Sequence, residues 1–63
     1  GRYSRSEKAH FYRIANGSAL ESAGALDILK AWGLIDGAVH HEAKILLART
    51  GQMLTKLIRR VQP

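Results

Sequence analysis

The residues best placed to do chemistry in this chain are basic. Arg2, Arg5, Lys8 and Arg13 lie near its start, and Lys56, Arg59 and Arg60 near its end. Clustered guanidinium and ammonium groups are phosphate binders. The whole sequence carries ten Lys and Arg against five Asp and Glu, for a net charge of +5. That balance favours acidic partners, RNA or DNA first, through contacts with the phosphate backbone. The competing reading is a solvated rim that only keeps the protein soluble. Tyr3 and Tyr12 are the two tyrosines beside these positions and do not make an aromatic platform, so sequence-specific reading of single strands is not indicated.

No other group of residues suggests a reaction. Glu21 is an isolated acid without a second acid or a base beside it, which general acid–base work would need. It reads either as a polar anchor for a neighbouring helix or as a solvated helix-face residue. His40 and His41 are adjacent and point about 100° apart on a helix, so they cannot share one ion, and His10 lies on another element. Ser18 has no strained elbow or oxyanion loop around it. With no cysteine present, neither a disulfide nor a thiolate metal site can form. The expectation is a protein that is not an enzyme, with no metal, no cofactor and no small-molecule substrate.

The elements that must position these residues are two helices. Ser4-Arg5-Ser6-Glu7 has the spacing of a capping box, and Phe11, Ala15, Ser18, Ser22, Ala25 and Leu29 then recur at intervals of three and four, widened by Ile14, Ala19 and Leu26. Trp32-Gly33-Leu34 reads as a helix end with glycine in the left-handed cap position and an apolar residue to pack back, and Asp36 reads as the next N-cap. A second stripe follows at Val39, Ala43, Leu46, Thr50, Met53, Leu57 and Val61, with Ile45, Leu47, Leu54 and Ile58 beside it, and Pro63 closes the pattern. The spacing predicts helices over about 5–32 and 37–61. The short "GLID" connection makes them antiparallel neighbours, so the two basic clusters meet at one pole.

The stretch "ANGSALESAGAL" costs helix stability, because each glycine is about 1 kcal/mol less favourable than alanine. It lacks the strand and the Lys-Ser/Thr of a phosphate loop, and its flanks do not alternate as hairpin strands do. Two readings remain open: a helix surface kept small at Gly17, Ser18, Ala19, Ser22, Ala23 and Gly24 so that another backbone can come close, or a break at Asn16-Gly17. The second helix carries apolar residues around about half its circumference. Leu47, Leu54 and Ile58 are therefore expected to stay in water in a lone hairpin, at about 1.5–3 kcal/mol of forgone burial each. An assembly is expected, with Gly17, Ser18, Glu21, Leu47, Leu54 and Ile58 as its packing residues.

Three segments also carry a resemblance. "GRYSRSEKAHFYRIANGSALES", "LDILKAWGLID" and "TGQMLTKLIRR" resemble, in order, the C-terminal half of the four-helix-bundle proteins encoded in 23S rRNA intervening sequences, to which the accessory proteins of diversity-generating retroelements are similar. The matching positions are Arg2, Ser4, Arg13, Ile14, Ala15, Gly17, Ser18, Glu21, Leu26, Gly33, Met53, Leu54, Leu57, Ile58 and Arg59. Asn16 stands where the family usually has Arg, Trp32 replaces a Leu, Leu34 a Tyr and Lys56 a Gly. Ser22-Ala23-Gly24 replaces a bulkier "L-E-T", and "HHEAKILLART" is far less acidic than the family's segment.

The resemblance implies an all-α chain whose antiparallel hairpin is part of a four-helix bundle. It also implies two further helices upstream of Gly1 and a ring-like, often pentameric, homo-oligomer. The functional expectation is a non-catalytic, cytoplasmic oligomer, with no membrane partner, that binds RNA as an accessory protein. A purely structural or protein-interaction oligomer is the alternative.

Overall fold

The computed structural model describes residues 3–62, so the expected contributions of Arg2 and Pro63 lie outside the described residues. Two helices make up the structure, α1 over Arg5–Ala31 and α2 over Gly37–Val61, and there is no strand among the described residues. The α1 start follows from its sequence. The Ser4 side chain accepts from the Glu7 amide at 3.2 Å, and the Glu7 carboxylate accepts from the Ser4 amide at 3.3 Å, so the capping box forms. The helix then runs unbroken through Asn16-Gly17.

Its end is a Schellman motif. Gly33 takes φ +73°, its amide donates to the Lys30 carbonyl at 3.0 Å, and the Leu34 amide donates to the Leu29 carbonyl at 2.9 Å. Trp32 is the cap rather than the last helical residue. Leu34 is 65% exposed and does not pack back as the sequence suggests. Asp36 caps α2, accepting from the Val39 amide at 2.8 Å.

The two helices pack against each other as an antiparallel hairpin 44 × 16 × 14 Å in extent. Its radius of gyration is 14.5 Å, against about 11 Å for a compact chain of this length. One seam is all that two helices of this length can share. Ala9, Tyr12, Asn16, Ala19, Ala23 and Leu26 face it from α1, and His40, Lys44, Leu47, Gly51, Leu54 and Ile58 from α2, each buried or partly buried. Ala9 alone is buried among the described residues.

This seam differs from the sequence expectation. Leu47, Leu54 and Ile58 are partly buried inside the hairpin and are not left in water. The stripe expected to pair, from Phe11 to Leu29 and from Val39 to Val61, is mostly outside. Phe11 is 50% exposed, Leu46 61% and Met53 60%. Approach distance accounts for the choice. The seam stripe of α1 is built on alanines and meets Gly51, whose Cβ position lies 3.4 Å from Asn16 Oδ1. Small residues let the axes close up, which gains dispersion contacts along the whole length. Gly17 and Gly24 meet nothing within 4 Å, so neither supplies the close approach inside the hairpin.

Each residue turns the helix by about 100°, so the outer stripe lies about 120° from the seam in α1 and about 90° from it in α2. The helices run in opposite directions, and these two rotations carry both stripes to the same side. The hairpin therefore has one apolar face, with Leu29, Ala43 and Leu57 at its margin with the seam, and an opposite side where polar residues flank the exposed Leu20.

Candidate nucleic-acid interface

The antiparallel register decides which charges meet. With Asn16 opposite Gly51, Lys8 lies level with Arg59, and Arg5 level with the last residue of the described chain. Arg5, Lys8, Arg13, Lys56, Arg59 and Arg60 thus share one half of the hairpin, where Glu7 is the single acid. The other half, residues 19–50, holds Lys30, Lys44 and Arg49 against Glu21, Asp27, Asp36 and Glu42. Six basic groups against one acid at one end, and three against four at the other, place the net positive charge of the described residues at a single pole.

Five of the six basic residues are exposed and Lys8 is partly buried. They share an end but not one face. Lys56 and Arg59 line a groove of about 610 Å³ on the side opposite the apolar face, lined also by Ala19, Leu20, Ala23, Leu47 and Gly51. Arg60 and Arg13 do not line it. Tyr12 is partly buried in the seam, and the Tyr3 ring, 52% exposed, meets Phe11 edge-on at 5.4 Å, so the aromatic surface beside the cationic groups is this one pair.

Ion pairing is concentrated away from this pole. Asp27 accepts from Lys44 Nζ at 3.0 and 3.1 Å and lies 2.7 Å from His40 Nε2. These are the ion pairs among the described residues, and none of the six polar-end cations takes part. The hydrogen bond to His40, then that to Lys44, holds the Asp27 carboxyl below the usual carboxylate range. The clamp went unseen in the sequence because its members are 13 and 17 residues apart. A register signal was there: a loop of residues 32–36 is centred on 34, so level partners sum to about 67 or 68, as 27 and 40 do.

The other expected positions are dispersed. Glu21 is exposed and outside these ion pairs, and Ser18 is exposed on the apolar face. Gly17 is partly buried without a close neighbour. Among the described residues no three His, Asp or Glu side chains converge on a possible metal position. No helix among them is long and apolar enough to cross a membrane. No family model, curated protein or solved structure matches the chain.

Proposed function

We propose that this chain is one half of a non-catalytic, oligomeric four-helix bundle that binds the phosphate backbone of RNA through its basic pole. The observation that carries the reading is the partition of charge, six unpaired cations against one acid at one end of the described hairpin. Lys56 and Arg59 follow a groove there, and the other four lie at the same end outside its lining. That spread suits a curved polyanion better than a small anion, which would need converging donors. The aromatic surface at this pole is limited to the edge-on Tyr3–Phe11 pair, which directs most of the contacts to phosphates. The exposed apolar face supports the second reading, an oligomer whose basic end is only solvated.

A salt titration separates the two. Binding to structured RNA is expected to be nearly independent of sequence and to weaken steeply with salt, by about 0.7–0.9 in log K per contacted phosphate per decade. Replacing Arg59 and Arg60 with Gln is expected to flatten that slope by about two contacts per subunit while the helix content stays unchanged. Absence of binding at low salt, or an unchanged slope in the double variant, selects the structural oligomer.

A further inference from the structure

We infer that the apolar face of the hairpin is closed by a second copy of this chain turned end for end, about a two-fold axis that crosses the face at the level of Ser18 and Thr50. This rests on the reading of the hairpin as half of a bundle and adds the occupant, the face and the direction.

Area is the first argument. The hairpin exposes 4959 Å², whereas a folded monomer of 7.0 kDa exposes about 4,000 Å². The excess, roughly 900 Å², matches the 800 Å² or so that each partner contributes to a stable interface. The chemistry of the face fits burial. No charged residue falls on its stripe between positions 11 and 29 of α1 or between 39 and 57 of α2. Ser18 Oγ, at the axis, is left to pair with its own copy in the partner, and the other two hydroxyls are bonded within their helices: Ser22 Oγ donates to the Ser18 carbonyl at 2.9 Å, and Thr50 Oγ1 to the Leu46 carbonyl at 3.0 Å. Covering them strands neither donor.

Direction follows from charge. Turning the second copy about the axis lays α1 on its own copy and α2 on its own copy. Positions in α1 then meet when their numbers sum to about 36, and positions in α2 when they sum to about 100. Phe11 falls on Ala25, Leu57 on Ala43 and Leu46 on Met53. The opposite arrangement, with both basic poles at one end, lays α1 on α2 of the partner at equal level. Phe11 then meets Leu57 and Ala25 meets Ala43, while Met53 meets Ala15 and Leu46 meets Ser22, so side-chain size is balanced between the two arrangements and charge decides. The opposite arrangement sets two clusters of six cations side by side. End-for-end packing puts each cluster beside the half that holds Glu21, Asp27, Asp36 and Glu42. The two poles are then separated by most of the 44 Å length, several times the Debye length of about 8 Å at physiological salt.

Because the chain has no cysteine, single introduced thiols read the geometry. Sedimentation equilibrium of the 63-residue chain is expected to give twice the 7.0 kDa mass. Under mild oxidant Ser18→Cys is expected to form a covalent dimer. Helices packed at about 8–10 Å bring Cα atoms facing each other across the axis within the 4.4–6.8 Å or so of a disulfide. Phe11→Cys should form none, since its two copies lie about 20 Å apart along the bundle. Thr50→Cys reports the same axis from the other helix, should the Ser18 variant fail to fold. A helical chain that stays at the single mass overturns this inference and leaves the face to the two upstream helices that the resemblance implies. A doubled mass with no cross-link at Ser18 or Thr50 overturns the arrangement alone and leaves the bundle standing. A mass above two chains rules out the closed dimer.

Discussion

The two long stripes of this hairpin look alike in sequence and end in opposite places. The one with the cleaner spacing, from Phe11 to Leu29 and from Val39 to Val61, forms the exposed apolar face. The stripe that packs, from Ala9 to Leu26 against His40 to Ile58, includes Asn16, Lys44 and Gly51. Amphipathic strength therefore does not tell which surface a helix presents to its nearest neighbour in the chain. The bulkier, uncharged stripe is more useful where larger side chains must fill the centre of a bundle, and the smaller stripe where two axes must come close.

The largest expected effect breaks the seam at its tightest point. Gly51→Leu drives a side chain into Asn16, 3.4 Å from the new Cβ, and is expected to cost about 1–3 kcal/mol by overpacking. Gly17→Ala, where a Cβ meets open space, is expected to stabilise by up to about 1 kcal/mol through helix propensity. Thermal melts followed by circular dichroism compare the two, and equal melting temperatures would contradict the assignment of Gly51 to the seam.

A neighbouring pair sharpens the comparison at smaller amplitude. Leu54→Ala removes a partly buried seam residue and is expected to cost about 2 kcal/mol at every protein concentration. Met53, one residue away, is 60% exposed. Met53→Ala should leave a dilute hairpin nearly unchanged and weaken only the concentration-dependent part of its stability. A Met53 variant that loses as much as the Leu54 variant at the lowest concentration would place Met53 in the seam instead.

The smallest effect concerns the Asp27 clamp that fixes the rotation of α2 near the loop. Its carboxyl is held below the ordinary value. The clamp's contribution is thus complete above the unfolded value of about 3.9 and is lost as pH falls through the lower, folded one. Asp27 is 56% exposed, so the loss is screened and modest. Melts between neutral pH and pH 3 are expected to show a larger drop for the natural chain than for Asp27→Asn. An equal drop would mean that the clamp does not contribute.

What the sequence by itself determined is local. Ser4-Arg5-Ser6-Glu7, Gly33 and Asp36 set the helix boundaries, because caps satisfy backbone groups within a few residues of themselves. The short loop set the antiparallel register, and with it the gathering of Arg5, Lys8, Lys56, Arg59 and Arg60 at one pole. Only the tertiary structure decided the rotation of each helix about its own axis. That rotation put Leu47, Leu54 and Ile58 inside, turned Tyr12 into the seam, left Phe11 and Met53 outside, and ran Lys56 and Arg59, but not Arg60, along the groove. The physical reason is that periodicity belongs to one helix, whereas the face it buries depends on how closely a second helix can approach. Here Gly51 and the alanines of α1 set that distance, and they stand 28 or more residues apart in the chain.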